Sequence, residues 1–340
     1  MTRTIGVNIT GTGSYVPTRV VSNAMFTETL DTTDEWIRTR TGISERRFAA
    51  PGETSSSLGI IAARDAVAAA GLVPADIDLI VCATITPDLM CPSTACMIQA
   101  GLGCRPIPAF DIAAACSGFL YALSVGENFI RSGSARHVLV VGAEILTRIA
   151  DYSDRNTCIL FGDGAGAVVL SASAGGSGLH RIRLYSDGTR QDLIQVPSMV
   201  TPNPPPGANS LPDLRYLRMH GREVFKFAVH KMTELVEMAQ RDCLELGLPK
   251  IDWMVPHQVN RRIIDAALSA TGFPPDRVVL NLDRYGNTSA ASVPIALDEA
   301  TRDGRCQPGD TLLMVAFGGG LTWSSAIVTV GASGVRRRAA

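Results

Sequence analysis

The chain contains two similar halves, and this internal repeat constrains its fold more than any other feature. Each repeated segment is a helix end or a glycine turn followed by an apolar strand pattern, and the pairs are residues 71–81 with 247–255 and residues 161–170 with 317–328. The separations within the two pairs are similar but unequal, as expected for related halves with different insertions. Chance similarity between common strand–helix patterns is the alternative. We predict an N-terminal half at residues 1–174 and a C-terminal half at residues 175–340, joined within the small-residue segment 171–178.

Strand and helix patterns alternate through both halves. Residues 78–84 and 137–142 are apolar and β-branched, as in buried strands, whereas residues 56–70 and 233–248 have the composition of helices. This alternation predicts an α/β fold with largely buried sheets. The segment 200–212 is rich in proline, which lacks a backbone donor, so we interpret it as a surface loop, either beside a site or a plain excursion.

Composition narrows the classes of function. Of the 340 residues 46% are hydrophobic, and 31 Lys and Arg balance 32 Asp and Glu, so nothing points to a nucleic-acid or anionic-membrane partner. The N-terminus lacks the apolar segment of a signal peptide, and no apolar run approaches the roughly 18 residues of a membrane span. The eight cysteines are scattered without a Cys-x-x-Cys pair. We therefore expect reduced thiols in a cytoplasmic protein and no cysteine-based zinc site.

Cys116 is the first candidate for a catalytic residue. It lies where the strand pattern at 109–113 changes into a helix pattern from about Ser117. A helix N-terminus has partial positive charge and unpaired N–H groups, and both favour the nucleophilic thiolate. A buried structural cysteine is an equally good interpretation of this context alone.

His257 and Asn287 are candidates for the same site. His257 follows a buried strand pattern, and a neutral imidazole there can donate to an oxyanion or move a proton. Asn287 lies in a Gly-Asn-Thr-Ser turn, and its amide can donate to an oxyanion without a change of charge. Taken alone, each is better explained as a structural histidine and a turn-forming asparagine. The repeat, however, gives Asn287 the place in the second half that Cys116 has in the first, so we expect both turns to converge on one cleft.

The glycine turn at 317–323 is a candidate oxyanion hole. Its backbone N–H groups can donate to a thioester oxygen, although a tight turn that only glycine can make is the alternative. The sequence contains neither a phosphate-loop motif nor Gly-x-Ser-x-Gly, which argues against a P-loop protein and an α/β-hydrolase.

Together these motifs resemble β-ketoacyl-acyl-carrier-protein synthase III, a family of condensing enzymes in the thiolase superfamily. The Cys-His-Asn triad of that family matches Cys116 in Ala-Ala-Cys-Ser-Gly-Phe, His257 in Val-Pro-His-Gln-Val-Asn and Asn287 in Tyr-Gly-Asn-Thr-Ser. Further matches follow in family order across nearly the whole chain, among them Thr-Asp-Glu-Trp-Ile, Phe-Gly-Asp-Gly-Ala-Gly-Ala and Ala-Phe-Gly-Gly-Gly. The resemblance implies the thiolase fold, with duplicated βαβ halves in a five-layer α-β-α-β-α arrangement, and a homodimer.

The resemblance also implies an acyltransferase that initiates fatty-acid synthesis. An acyl-CoA primer would acylate Cys116, and malonyl-acyl-carrier protein would then lose CO2 and attack the thioester to give β-ketoacyl-acyl-carrier protein. His257 and Asn287 would donate to the malonyl thioester oxygen, and the N–H groups of Cys116 and Gly319 would form a second oxyanion hole. The coenzyme A thioester is a substrate, so we expect neither a cofactor nor a metal.

Binding residues carry over from the same family pattern. Trp36 matches the residue that stacks on the adenine of coenzyme A, and Arg40 and Arg155 match arginines near its nucleotide end. Lys226 and Arg262 match basic positions that meet the acidic carrier protein, although a solvated helix face explains Arg262 equally well.

Two departures from the family pattern concern the acyl pocket. Many relatives have phenylalanine where this chain has Cys91, at a position expected to border the partner subunit's pocket, and phenylalanine where it has Leu321. These changes bear on the choice of primer rather than on the class of reaction.

Three alternatives differ in function. The first is a related acyltransferase or condensing enzyme of secondary metabolism. The second is a non-catalytic thiolase-fold subunit, against which the intact Cys-His-Asn set argues. Hydroxymethylglutaryl-type synthases use an upstream carboxylate base, and we find no clear equivalent because residues 144–149 are typical of an ordinary strand end.

Overall fold

The computed structural model describes residues 5–174, 178–196 and 216–331, and the proline-rich segment 200–212 lies outside them. Within the described residues the helices are α1 (Ala24–Thr27), α2 (Asp34–Thr41), α3 (Ser55–Ala69), α4 (Thr94–Leu102), α5 (Gly118–Arg131), α6 (Gly221–Glu245), α7 (Arg261–Thr271), α8 (Leu282–Tyr285) and α9 (Ser292–Arg302). The strands are β1 (Gly6–Tyr15), β2 (Arg19–Ser22), β3 (Glu45–Phe48), β4 (Leu79–Ala83), β5 (Ala109–Ile112), β6 (His137–Ile145), β7 (Asp163–Ser173), β8 (Leu179–Ser186), β9 (Ile194–Gln195), β10 (Arg218–Met219), β11 (Trp253–Pro256), β12 (Thr311–Gly318) and β13 (Thr322–Thr329).

The two large sheets share one strand order. The first sheet runs β1-β7-β6-β4-β5, and the second runs β8-β13-β12-β11. A parallel bridge from Met254 to Val278 takes the place of β5 at the edge of the second sheet. Only the pairs β4–β6 and β4–β5 in the first sheet and β11–β12 in the second are parallel among the described strands of these sheets. Each strand thus has a counterpart in the other half.

The helices and the two sheets form five layers. α3 and α4 cover the outer face of the first sheet, and α6 and α7 cover the outer face of the second. α5 and α9 pack between the sheets, where the largest apolar cluster lies. This α-β-α-β-α order confirms the predicted thiolase-type α/β fold.

Central strands are buried on both faces. In β4, Leu79 and Val81 face the middle layer, whereas Ile80 and Cys82 face α3 and α4. Because successive side chains of a strand point to opposite faces, a strand between two helix layers is apolar throughout. The same alternation fixes the direction of any polar side chain within such a strand.

Local signals set the ends of the helices. The Thr33 side chain accepts a hydrogen bond from Trp36 N–H at the start of α2, and Gly42, with φ of 84°, ends that helix. α6 starts at Gly221 and ends at Glu245, so it contains most of the helical segment predicted at residues 233–248. Among the described residues, none of the helices combines the length and the apolar character that a membrane span requires.

Candidate active site

Cys116 lies in a tight turn between β5 and α5. The turn is a 3₁₀ helix over Ala115–Ser117, and α5 follows at Gly118. Ala115 has φ of 46°, a left-handed conformation that costs a non-glycine residue about 1 kcal/mol or more. Gly318 of β12 packs against this turn so closely that a Cβ at 318 would lie 2.6 Å from the Cys116 nitrogen. The second half of the chain therefore holds the nucleophile turn of the first half.

Burial favours the protonated form of the Cys116 thiol. Removal from water raises the pKa of Cys116 to about 12, an effect that the Ser289 side chain opposes and the charge of Glu144 reinforces. Burial thus acts against the thiolate that we expect from the helix N-terminus. A base has to take the proton when the sulfur attacks.

His257 follows β11 with its ring buried beside Phe317. Its backbone N–H donates to Val315 O at 2.7 Å, and the His257 and Phe317 rings meet edge to face at 5.8 Å. Nδ1 lies 2.6 Å from Ser292 Oγ, which also accepts a hydrogen bond from the Gln258 N–H. We assign the Ser292 hydroxyl as the donor to Nδ1, which leaves the proton of the imidazole on Nε2.

The Nε2 atom of His257 is buried and has no hydrogen-bond partner among the described residues. Burial lowers the pKa of His257 to about 3, so the imidazole is neutral at physiological pH. A neutral imidazole with a free Nε2–H is a hydrogen-bond donor for an anion that appears in the cavity.

Asn287 is fixed by its own backbone and by the turn that follows it. Its N–H donates to Leu160 O at 2.8 Å, and its Oδ1 accepts a hydrogen bond from Ser289 N–H at 2.8 Å. Because the amide oxygen is occupied, the NH2 group is the end available to a ligand.

One cavity of about 690 Å³ brings these groups together. Cys116, His257, Asn287 and Gly319 all line it. Apolar side chains, among them Ile194, line it as well. Thr322 Oγ1 donates to Ala114 O at 3.1 Å and ties the glycine turn to the nucleophile turn. The cavity therefore combines a half-buried thiol with two neutral donors, a set suited to acyl transfer through an oxyanion.

The turns of the two halves are equivalent, but Cys116 and Asn287 are not equivalent positions. The second turn is a 3₁₀ helix over Ser289–Ala291, and Ser289, with φ of 48°, corresponds to Ala115. Cys116 follows its left-handed residue by one, so its counterpart is Ala290. The residue-to-residue equivalence expected from the repeat is wrong, because a comparison of separations along the chain does not resolve shifts of a few residues.

Trp36 and its two arginines lie at the outer part of the site. Trp36 and Arg40 line the cavity, whereas Arg155 does not. The guanidinium carbons of Arg40 and Arg155 lie 5.8 Å and 5.3 Å from the Trp36 ring centroid. Arg155 also pairs with the exposed carboxylate of Asp31 at 3.2 Å. An indole beside two cations is a suitable surface for an aromatic base that bears phosphates.

Lys226 and Arg262 line the same cavity from two helices. Lys226 of α6 is exposed and pairs with Glu223 at 3.2 Å, and the Arg262 guanidinium of α7 lies 5.5 Å from the Phe225 ring. Arg222 also lines the cavity, so this wall is basic.

The structure places the two predicted acyl-pocket residues outside the cavity lining. Leu321 is 2% exposed and packs in a small cluster with Val224, which does line the cavity. The Leu321 side chain therefore lies behind the cavity wall and does not line the cavity. Leu321 follows the glycine turn and directly precedes β13. Cys91 is exposed on the same surface segment as Met90, which is 85% exposed.

Sequence reasoning missed three polar residues close to the site. Ser289 lines the cavity, Ser292 fixes the His257 ring, and Glu144 is fully buried although its segment was interpreted as an ordinary strand end. The available signal was an acidic residue within the apolar run of β6, since buried carboxylates are rare. Within the described part of the chain, no group of three or more His, Cys, Asp or Glu residues is arranged to hold a metal ion.

Two family models match the chain. The model of 3-oxoacyl-[acyl-carrier-protein] synthase III matches residues 110–188, and the model of its C-terminal part matches residues 244–330. The first range contains Cys116, and the second contains His257 and Asn287.

Curated relatives match over almost their whole length. The β-ketoacyl-[acyl-carrier-protein] synthase III of Rhizorhabdus wittichii is 50% identical, over 94% of this chain and 98% of its own. The protein of the same name from Xylella fastidiosa is 51% identical, over 96% of this chain and 99% of its own.

Solved structures match the fold. The 3-oxoacyl-[acyl-carrier-protein] synthase III of Aquifex aeolicus is 44% identical with a TM-score of 0.87, over 95% of this chain and 100% of its own. The priming β-ketosynthase of the R1128 polyketide biosynthetic pathway is 37% identical with a TM-score of 0.86, over 96% of both chains.

Proposed function

The chain belongs to the family of 3-oxoacyl-[acyl-carrier-protein] synthase III, and we propose that Cys116, His257 and Asn287 carry out its reaction. The enzyme is an acyltransferase that condenses an acyl-CoA primer with malonyl-acyl-carrier protein and thereby initiates fatty-acid synthesis. The observation that supports these roles is that a thiol, an unpartnered imidazole nitrogen and a free amide open onto one cavity.

Acylation is the first step. Cys116 loses its proton, and Sγ attacks the thioester carbonyl of the acyl-CoA. The tetrahedral oxyanion accepts hydrogen bonds from the N–H groups of Cys116 and Gly319. The bond to the coenzyme A sulfur then breaks, and the acyl group remains on Cys116 as a thioester.

Condensation is the second step. Malonyl-acyl-carrier protein loses CO2, and the negative charge that develops on its thioester oxygen is stabilised by His257 Nε2–H and the Asn287 NH2. The carbanion carbon attacks the acyl-cysteine, and the β-ketoacyl-acyl-carrier protein leaves as the Cys116 sulfur is released. Both donors are neutral before and after the step, so no proton has to leave either of them.

The binding residues follow from their places around the cavity. Trp36 stacks on the adenine of coenzyme A, and Arg40 and Arg155 pair with its phosphates. Lys226 and Arg262 attract the acidic carrier protein to the other wall. Coenzyme A enters as part of a substrate, so the reaction needs no further cofactor.

We propose that the protein is a homodimer whose Cys91 segment reaches the partner's acyl pocket. Leu89 and Met90 next to Cys91 are 50% and 85% exposed, and adjacent exposed apolar side chains are typical of an interface. Leu321 adjusts the pocket through its contact with Val224. We place the division between the halves at residues 174 and 175, between the end of β7 and the start of β8, and the enzyme in the cytoplasm, where its eight free cysteines stay reduced.

Intact-mass measurement with a panel of acyl-CoA thioesters tests the proposal. A mass gain by one acyl group is expected, and it should be absent in Cys116→Ala but present in the matched control Cys104→Ala, which changes a cysteine outside the cavity lining. Malonyl-acyl-carrier protein should then release the acyl group as a β-ketoacyl product with CO2. A wild-type protein that no primer acylates would contradict the proposal.

The second candidate is a priming enzyme of secondary metabolism, which the similarity to the R1128 priming β-ketosynthase supports. It predicts acylation as above but condensation only with a dedicated carrier protein and not with the carrier protein of fatty-acid synthesis.

A further inference from the structure

Glu144 is a buried carboxylate that the steps above do not use. It lies near the end of β6 with 0% of its surface exposed. Its oxygens accept hydrogen bonds from Thr86 Oγ1 at 2.6 Å, from Thr84 Oγ1 at 3.3 Å and from the Ile85 N–H at 3.2 Å. In the described part of the chain it forms no ion pair. A buried carboxylate without a counter-charge is costly, which points to a function.

The alternation of β6 directs Glu144 towards the active site. Gly142 and Glu144 are two residues apart and project from the same face of the strand. A Cβ at 142 would lie 2.4 Å from Ala290 O, so this face of β6 contacts the turn at Ser289–Ala291. The carboxylate therefore meets a turn whose first residue lines the cavity.

Ser289 connects the surroundings of Glu144 with those of Cys116. It lines the cavity together with Cys116 and begins the turn against which the Glu144 face of β6 packs. Its side chain lowers the pKa of both the Cys116 thiol and the Glu144 carboxyl. Its backbone is fixed, since its N–H donates to Asn287 Oδ1. Its Oγ is buried and forms no hydrogen bond of normal geometry with the described residues at rest, so the hydroxyl is free to turn between its two neighbours.

Other proton acceptors on the cavity wall are less suitable. His257 presents Nε2–H to the cavity, and burial lowers its pKa to about 3. The Asp154 carboxylate is occupied by its own turn, where it accepts from the Asn156 N–H at 3.0 Å and from Thr157 Oγ1 at 2.8 Å. A protonated thiol nevertheless needs an acceptor when it attacks.

We infer that Glu144 accepts the Cys116 proton through the Ser289 hydroxyl during acylation. As Sγ attacks the acyl-CoA carbonyl, the thiol proton moves to Ser289 Oγ and the hydroxyl proton of Ser289 moves to the Glu144 carboxylate. When the bond to coenzyme A breaks, the proton returns through Ser289 to the leaving thiolate. Protons and charges balance over the step. The inference rests on the proposed role of Cys116 as the nucleophile.

The charge state of Glu144 fits this role. Burial raises the pKa of Glu144 to about 7, although the hydrogen bonds from Thr86 and Ile85 oppose the shift. A base with a pKa near the working pH is well matched to general-base catalysis. The Cys116 thiol lies on the same side of the sheet as Glu144, whereas the Cys82 thiol points to the opposite face; burial raises the pKa of Cys82 well above its ordinary value, so that thiol stays neutral. The charges of Asp111 and Asp88 also raise the pKa of Cys82.

The test is the pH profile of the Cys116 acylation rate, measured by quenched mixing with an acyl-CoA and intact mass. In the wild type the rate should rise through a pH near 7 as Glu144 ionises. Glu144→Gln and Ser289→Ala should each lower the neutral-pH rate by about 100-fold and remove this rise, and Glu144→Asp should restore part of both. Asp163→Asn is the matched control, since it neutralises another fully buried carboxylate outside the cavity lining, and it should keep the wild-type profile.

A Glu144→Gln protein that is acylated at the wild-type rate with the wild-type profile would overturn the inference. If Glu144→Gln does not fold, Ser289→Ala decides alone, because it removes the bridge and leaves the carboxylate in place. A wild-type protein that is not acylated at all would instead contradict the nucleophile role of Cys116.

Discussion

The turns before α5 and α9 have the same backbone and different side chains. Each begins with a left-handed residue, Ala115 with φ of 46° and Ser289 with φ of 48°, and each leads directly into a helix of the middle layer. Each also packs against a glycine of the opposite half, since Gly318 contacts the first turn and Gly142 contacts the second. The two turns therefore share their backbone conformation and their packing, but they present different side chains to the cavity.

The difference divides the chemistry between the halves. The first turn presents a thiol that forms and breaks a covalent bond. The second turn presents an amide ahead of it and a hydroxyl within it, beside the histidine that follows β11. The amide and the imidazole are donors that do not react, and they suit the stabilisation of negative charge. We therefore expect changes at Asn287 and His257 to slow condensation and to leave acylation, in which Cys116 and Ser289 act, nearly unchanged.

The largest effect is expected from His257→Ala and Asn287→Ala. Each removes one donor to the malonyl thioester oxygen, so the condensation rate should fall by about 10²–10³-fold, while acylation of Cys116 changes only slightly. The two rates are measured separately, with intact mass for acylation and with pre-acylated enzyme and malonyl-acyl-carrier protein for condensation. His180→Ala, outside the cavity lining, is the control. An equal loss of both rates would break the division between the halves.

Alanine substitutions at Gly142 and Gly318 test the packing that the two turns share. A Cβ would lie 2.4 Å from Ala290 O in Gly142→Ala and 2.6 Å from Cys116 N in Gly318→Ala. Each variant should lose about 1–3 kcal/mol in free energy of unfolding, and Gly318→Ala should also slow acylation. Gly188→Ala is the matched control, because nothing lies within 4 Å of its added Cβ. Denaturant unfolding that fails to separate these variants from the control would show that the packing is not tight.

His257 should make the stability of the second half sensitive to acid. The pKa of His257 falls from 6.5 to about 3 in the folded state, because burial disfavours the imidazolium. The unfolded chain therefore binds this proton first, and the stability present above pH 6.5 is lost progressively as the pH falls towards 3. One bound proton corresponds to about 1.4 kcal/mol per pH unit, so His257→Gln should remove about 2 kcal/mol of the loss between pH 6.5 and about pH 5.

Denaturant unfolding at several pH values checks this expectation. Cys116→Ala, in the equivalent turn that has no histidine, should keep the wild-type dependence. Parallel stability curves for wild type and His257→Gln would contradict it.

The smallest effect is expected at the substrate-binding wall. Trp36→Ala removes the proposed stacking surface for adenine and should raise the KM for acyl-CoA about tenfold, with little change in kcat. The KM for malonyl-acyl-carrier protein should stay constant, whereas Lys226→Ala should raise that value and leave the KM for acyl-CoA unchanged. Steady-state kinetics with each substrate varied in turn would show whether the two walls are separate.

The fold could be predicted from the sequence because its signals are local and repeated. Buried strands are apolar throughout, as in β4, and the repeat of this pattern in the second half indicates the second sheet. The position of Cys116 at a strand-to-helix turn was visible in the small residues around it. The pKa of its thiol was not visible, because burial depends on how the other half packs over the turn.

Glu144 and Ser289 show where sequence reasoning ends. Each belongs to an ordinary local pattern, a strand end and a turn, and they meet only through the contact of β6 with the second turn. Leu321 shows the same limit. We expect it in the acyl pocket from the sequence, but its side chain packs in the cluster behind the cavity wall. Contacts between distant segments decide these positions.

The exchange of turns between the halves gives a single chain the geometry of a symmetric dimer. In an isologous interface, each partner offers the same surface and receives the same surface in return. Gly142 and Gly318 lie in equivalent strands, β6 and β12, and each receives the turn that the other half supplies. A separated half would keep a left-handed residue that no neighbour holds in place. The two halves therefore depend on each other. A substitution at either glycine alters an active-site turn that is encoded far away in the gene.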